Sequence, residues 1–185
     1  ADGLAAAPHL LDSGFSVRVF LCADKGRHAQ ELISQLGDGV ECTDLTKTVP
    51  RNFEEEIGQF DIVMDALLGI GRLRRIQGVM ARVLHDVAAS FQANPERLLV
   101  AIDVPSGMDA DTGEVDDLTL PATHTLAVGN PKHGFFLSPG YRYTGIVESL
   151  DIGMDPEASA SIQCELTGIE DFQSTRESSN ITIDS

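Results

Sequence analysis

Carboxylates and one serine follow apolar segments at two places in this sequence. Asp65 ends an apolar segment that begins near Asp61, and Asp103 and Ser106 follow the run Leu98 to Ile102. An acid at the end of a buried strand needs a partner, and side-chain oxygens of this kind suit a hard cation. We therefore take Asp65 and Ser106 as candidate metal ligands and Asp103 as a carboxylate placed for a substrate. The alternative for Ser106 is that it only caps a turn.

The segment from Gly69 to Arg75 combines glycine with arginine in an otherwise acidic chain. Glycines let the backbone approach a ligand, and the N–H groups at the start of a following helix suit a phosphate. Arginines at a helix N-terminus oppose its dipole, so a bound anion explains them better than solvation does. A tight turn with solvated arginines remains the alternative. The candidate phosphate-binding residues are Gly69, Ile70, Gly71, Arg72, Leu73, Arg74 and Arg75.

Lys132 lies in a turn that reads Gly-Asn-Pro-Lys-His-Gly, after another apolar segment. Its ammonium could pair with a phosphate or with Asp103, and the alternative is a solvated loop lysine. Ser106 is not predicted to be a nucleophile, because no Gly-x-Ser-x-Gly turn surrounds it.

Composition excludes several classes of protein. The 185 residues carry a net charge of -16, which argues against nucleic acid and anionic membranes as partners. The apolar runs are far shorter than the roughly 18 residues of a transmembrane helix. The three cysteines form no Cys-x-x-Cys pair, so we expect packing residues and a reducing cytoplasm.

Apolar periodicity predicts elements that would position these side chains. Helical spacing covers Leu4 to Leu11, Ala29 to Leu36 and Ile76 to Phe91. Strands are predicted at 16–22, 40–42, 61–67, 98–102, 123–128 and 145–150, the last of them on an edge. Alternating strands and helices indicate an α/β fold with a mostly parallel sheet and helices on both faces. Ligands of such sheets bind beyond the strand carboxyl ends, where these candidate residues lie.

Together and in this order, the motifs resemble those of the NAD(P)H-hydrate epimerase family, also called the YjeF N-terminal domain family. The matching segments are Asp65-Ala-Leu-Leu-Gly-Ile-Gly, Ile102-Asp-Val-Pro-Ser-Gly-Met-Asp-Ala-Asp-Thr-Gly, Asn130-Pro-Lys-His-Gly and Leu150-Asp-Ile-Gly. The resemblance implies a Rossmann-like three-layer sandwich. It also implies an isomerase that interconverts the R and S forms of hydrated NADH or NADPH, a repair reaction that serves a companion dehydratase.

Site roles follow from the same resemblance. Asp65 and Ser106 would hold the family's potassium ion, and the segment from Gly69 to Arg75 would wrap the substrate phosphates. Asp103 would contact the hydrated nicotinamide. Our own mechanistic hypothesis is that Asp103 acts as general acid and base, with Lys132 as a less certain participant. The family's habit also suggests a homodimer.

The start of the chain departs from the family pattern. The family's Asn-Asn-Gly-Gly-Asp-Gly loop survives only as Ala1-Asp2-Gly3, and the helix and strand that lead to it are not in these 185 residues. We therefore expect an incomplete epimerase domain over residues 1–153. Residues 154–185 are expected to form an acidic, polar linker or tail, since 151–185 hold eight acidic residues and one arginine. This tail would fit a bifunctional arrangement in which a dehydratase domain follows.

Two rival functions stay open at this point. The first is a nucleotide-binding or protein-interaction module that keeps the fold without catalysis. The second is a fragment of a sugar or nucleotide kinase, although the sequence shows no base for phosphoryl transfer near a glycine-rich anion site.

Overall fold

The computed structural model describes residues 2–22, 26–37, 39–70 and 75–153. Its helices are α1 (Asp2–Asp12), α2 (Arg27–Ser34), α3 (Phe53–Ile57) and α4 (Gly78–Ala93), with short 3₁₀ helices at His133–Phe136 and Gly140–Arg142. Its strands are β1 (Arg18–Leu21), β2 (Glu41–Asp44), β3 (Ile62–Asp65), β4 (Leu98–Ile102), β5 (His124–Val128) and β6 (Ile146–Leu150).

The strands form two parallel sheets in the described part of the chain. One sheet pairs β1 with β2, and the other has the order β3-β4-β5-β6. Every strand pair is parallel, with Asp65 opposite Ala101 and Ile102 opposite Leu126. The carboxyl ends of β3, β4 and β5 therefore meet at one edge, where the candidate residues follow. The α/β prediction is confirmed, but the sequence did not indicate that the strands divide into two sheets.

Helices cover both faces of β1. Its Val19 packs with Leu4 and Ala7 of α1, while Phe20 packs with Phe53 of α3 and Val83 of α4. Successive side chains of a strand point to opposite faces, so one strand carries both apolar layers. This is the layered arrangement that the alternating pattern predicts.

A buried arginine joins α3, α4 and β4. The Arg97 side chain is 4% exposed, and its Nε donates to the Phe60 carbonyl and its Nη2 to the Ile57 carbonyl, both at 2.6 Å. Nη1 donates to Ser90 Oγ, and the guanidinium lies over the Phe91 ring. Burial lowers the pKa of Arg97 from its usual value. The arginine thus adds a donor to the Ile57 carbonyl at the end of α3, which also accepts from the Phe60 N–H at 3.3 Å, and it satisfies the Phe60 carbonyl in the turn that follows.

Helix α3 and the two 3₁₀ helices are not predicted from the sequence. Helix α3 has only five residues, three of them glutamates, and it buries Phe53 and Ile57. A helix this short gains its stability from tertiary packing rather than from its own propensity.

The chain divides into two compact units, residues 1–152 and residues 153–185. The predicted tail at 154–185 lies outside the described residues. No helix among those the structure describes is long and apolar enough to cross a membrane.

Candidate functional site

Asp65 and Ser106 form a buried hydrogen-bonded pair between the loops that follow β3 and β4. Ser106 donates from Oγ to Asp65 Oδ1 at 2.5 Å and from its backbone N–H to Oδ2 at 2.8 Å. The Leu67 N–H also donates to Oδ1, and the Leu68 N–H donates to Ser106 Oγ at 2.9 Å. The two predicted metal ligands therefore lie in direct contact.

The donor set at this pair fits a cation. Asp65 is 7% exposed, and burial raises the pKa of its carboxyl against the opposing effect of the hydrogen bonds from Ser106 and Leu67. Among the described residues no basic side chain forms an ion pair with it. Each carboxylate oxygen has two lone pairs, so Oδ2 keeps capacity for another partner. A buried carboxylate without a counter-charge is costly, and a bound cation would relieve that cost.

The described residues contain no cluster of three or more His, Cys, Asp or Glu side chains able to hold a metal. A cation here would complete its ligand set with other oxygens, which is the coordination that potassium accepts in proteins. The nearby Cys22 thiol is a poor ligand, because burial, aided by the Asp65 charge, raises its pKa to about 11.

Asp103 lies at the end of β4 and pairs with Lys132 from the turn after β5. Lys132 Nζ is 2.8 Å from Asp103 Oδ1, and both side chains are largely buried. The Val128 N–H donates to the same oxygen at 3.3 Å. Two residues 29 positions apart in the sequence are thus joined at the carboxyl edge of the sheet.

The Asp103 backbone is in the left-handed region, with a φ of 67°. It is the one residue other than glycine with positive φ among those the structure describes. Such a conformation costs an L residue about 1–3 kcal/mol and occurs preferentially at functional sites. Its N–H donates to the Leu126 carbonyl at 2.8 Å, which helps to hold it there. The strained turn directs the backbone so that the side chain meets Lys132.

The predicted phosphate segment is described only at its ends. Gly69, Ile70 and Arg75 are exposed, while Gly71, Arg72, Leu73 and Arg74 lie outside the described residues. Just after the segment, the Ile76 N–H donates to Asp116 Oδ2 at 3.0 Å. This bond anchors the end of the segment to the loop that follows Asp103 and Ser106.

Glycines hold the Asp103 loop against the Lys132 loop. The Gly134 N–H donates to the Ala110 carbonyl at 2.7 Å, and a Cβ on Gly134 would lie 2.5 Å from the Asp109 carbonyl oxygen. A Cβ on Gly113 would meet the Gly134 carbonyl at 2.6 Å. Both glycines lie in the family-like motifs, but the sequence alone predicts no role for them. Their contact brings together loops that carry Asp103 and Lys132.

The fold and this site define a parallel α/β protein with a buried polar site at the strand carboxyl ends, where such proteins bind ligands. The YjeF-related protein N-terminus family matches residues 1–134. The chain belongs to this family.

Named relatives agree with the match. The chain is 35% identical over 150 residues to the bifunctional NAD(P)H-hydrate repair enzyme Nnr of Thermofilum pendens, covering 78% of this chain and 27% of that protein. It is 32% identical over 157 residues to the NAD(P)H-hydrate epimerase of Microbacterium testaceum, covering 84% of this chain and 58% of that protein. This chain therefore spans only part of the length of these relatives.

A solved structure supports the fold alone. The crystal structure of yeast ynu0 superposes with a TM-score of 0.61 at 20% identity, covering 72% of this chain and 54% of that one.

Proposed function

We propose that this domain catalyses the interconversion of the R and S forms of hydrated NADH or NADPH. Relatives named NAD(P)H-hydrate epimerase support this reaction. The observation that carries it in this chain is the Asp103 carboxylate, strained into position at the end of β4 and paired with Lys132 at 2.8 Å. A fixed carboxylate at the edge where ligands bind can exchange protons with a substrate hydroxyl.

In the proposed mechanism Asp103 is the general acid and base. In its protonated form Asp103 donates a proton to the C6 hydroxyl of the hydrated nicotinamide as the carbon–oxygen bond breaks and water leaves, and the carboxylate that remains pairs with Lys132. The ring nitrogen supplies electrons, which gives an iminium-like intermediate. Water then adds to the opposite face and gives one of its protons to the Asp103 carboxylate, which restores the acid. Acid–base assistance of this kind contributes about a hundred- to ten-thousand-fold.

Lys132 acts as a positioning residue for the Asp103 carboxylate. Asp65 and Ser106 would hold a potassium ion, which supplies a fixed positive charge that orients the substrate. The segment from Gly69 to Arg75 would bind the substrate phosphates. Support comes from the exposed glycine at its start and from the Asp116 anchor at its end.

The test compares Asp103→Asn with Asp117→Asn, an exposed aspartate in the same region. Purified R and S forms of hydrated NADH would be incubated with each protein, and their interconversion followed by chromatography above the uncatalysed rate. We expect Asp103→Asn to lose at least about a hundredfold in catalysed rate while it keeps dinucleotide affinity. Asp117→Asn should match the unsubstituted protein.

Catalysis unchanged in Asp103→Asn would refute the acid–base role. Dinucleotide binding by the unsubstituted protein without any catalysed interconversion would instead assign the chain to the non-catalytic binding module.

A further inference from the structure

The loop after β4 folds back on itself as a hairpin, residues 106–116. An antiparallel bridge joins Met108 to Val115, and the Asp116 N–H donates to the Gly107 carbonyl at 2.8 Å. Gly107 directly follows the serine that we propose as a cation ligand. Asp116 is therefore bonded to the neighbour of that ligand, although it lies at the other end of the hairpin.

Asp116 uses both carboxylate oxygens on backbone N–H groups. Its Oδ2 accepts from Ile76 at 3.0 Å, and its Oδ1 accepts from Leu118 at 2.9 Å. Ile76 directly follows Arg75, the last residue of the proposed phosphate-binding segment. A carboxylate beside a phosphate would repel it. A role through the backbone of Ile76 therefore explains the position of Asp116 better than contact with the substrate does.

The hairpin meets the chain on both sides of the proposed phosphate-binding segment. The Leu68 N–H, just before the segment, donates to Ser106 Oγ at 2.9 Å, and the Ile76 N–H, just after it, donates to Asp116. Packing supports the second contact, because Ile76 is 6% exposed and a Cβ on Gly107 would lie 2.7 Å from its Cδ1. One element thus carries a proposed cation ligand and holds the chain before and after the segment.

We propose that Asp116 is a positioning residue for dinucleotide binding. By holding Ile76 against the hairpin, it fixes the end of the phosphate-binding segment relative to the Asp65 and Ser106 pair. The dinucleotide then does not have to supply the free energy that places this end. This support acts equally on the bound substrate and on the transition state, so it affects affinity rather than turnover. The inference rests on the proposed function, which assigns the substrate phosphates to this segment.

The test compares Asp116→Ala with Asp117→Ala, a change at the exposed neighbouring position. The dissociation constant of NADH is measured by titration calorimetry, and KM and kcat are measured with hydrated NADH. We expect Asp116→Ala to raise both Kd and KM by about tenfold, with kcat within about threefold, because hydrogen bonds to a charged group contribute at least such a factor. Asp117→Ala should change none of the three.

Two further variants separate positioning from a general loss of stability. Asp116→Asn keeps the size of the side chain and one acceptor oxygen, so it can bond to the Ile76 or the Leu118 N–H but not to both. We expect a smaller rise, of about threefold, in Kd and KM, and this variant carries the test if Asp116→Ala does not fold. Arg97→Met removes buried hydrogen bonds away from the site and should leave Kd and KM unchanged.

The outcomes distinguish this inference from the proposed reaction. Equal Kd and KM in Asp116→Ala and the unsubstituted protein would overturn the inference while the reaction stands. A lower kcat at unchanged KM would also overturn it, since Asp116 would then act on the reacting groups. If the unsubstituted protein binds NADH but catalyses no interconversion, the proposed reaction fails and the Kd values alone decide the role of Asp116. Absence of NADH binding by the unsubstituted protein would overturn both.

Discussion

The Lys132 ammonium contacts three acceptors of the protein. Its Nζ lies 2.8 Å from Asp103 Oδ1, 3.0 Å from the Val128 carbonyl oxygen and 2.9 Å from the Asn130 carbonyl oxygen. An ammonium has three protons, so these partners use its full donor capacity. Of the roles open to Lys132 from the sequence, this geometry favours that of partner to Asp103 over that of phosphate contact.

Replacing this lysine should lower turnover more than substrate affinity. In Lys132→Met the Asp103 carboxylate loses its charged partner, and two carbonyls lose a donor. We expect kcat for the interconversion to fall by about ten- to a hundredfold, less than in Asp103→Asn, with KM within about threefold. Steady-state kinetics on both epimers would measure this. Lys47→Met, at an exposed position, is the control; a higher KM at unchanged kcat would point to phosphate binding instead.

Potassium should stabilise the folded protein through Asp65. A ligand that binds only the folded state at ten times its dissociation constant adds about 1.4 kcal/mol to the free energy of unfolding. We expect a higher melting temperature in potassium chloride than in choline chloride at equal ionic strength. Asp65→Asn and Ser106→Ala should each lose most of the difference, and Asp117→Asn should keep it. Equal melting temperatures of the unsubstituted protein in both salts would contradict the assignment of these ligands.

The glycine contact between the two site loops should tolerate no side chain. In Gly134→Ala the new methyl would lie within 3 Å of three backbone atoms, the Asp109 oxygen, the Gly113 nitrogen and the Ala110 oxygen. We expect a loss of about 1–3 kcal/mol in the free energy of unfolding. Gly69→Ala, which meets no atom within 4 Å, should change it by less than about 0.5 kcal/mol. Urea denaturation of the two variants would compare them, and equal stabilities would show that the loops separate at no cost.

Arg97 should be a major contributor to stability away from the site. Arg97→Met removes the donor of the Phe60 carbonyl and leaves the Ile57 carbonyl with only the Phe60 N–H at 3.3 Å, and an unsatisfied buried carbonyl costs about 1–3 kcal/mol. We expect a total loss of about 2–4 kcal/mol in urea denaturation. Arg51→Met, at an exposed turn, should stay within about 0.5 kcal/mol of the unsubstituted protein. If Arg97→Met also changed the free energy of unfolding by less than about 0.5 kcal/mol, water would be replacing the guanidinium as the donor to these carbonyls.

The sequence predicted a helix or strand correctly where a single local pattern of apolar residues determines it. Strand β4 has the predicted bounds Leu98 to Ile102, because an unbroken apolar run fits a strand covered on both faces. Local patterns also placed Asp65 and Asp103 at strand carboxyl ends. They could not show that the described strands divide into two sheets, because strand order depends on long-range packing that periodicity does not record.

Only some of the side-chain contacts in the site could be predicted from the sequence. The contact of Asp65 with Ser106 follows once β3 and β4 are neighbours, since parallel strands bring their carboxyl ends together. The positive φ of Asp103 and the meeting of Gly113 with Gly134 were not predicted. Both result from how separate loops pack, and a residue type alone does not specify them.

Strand β6 ends one side of the four-stranded sheet and affects how readily the protein precipitates. Its Ile146 and Leu150 are 60% and 40% exposed, and one edge of the strand bonds to no other described strand. Open apolar edges favour pairing between molecules, and a net charge of -16 opposes it by repulsion at pH 7. That repulsion vanishes near the isoelectric point of about 4.4, so precipitation through this edge becomes favourable in mild acid.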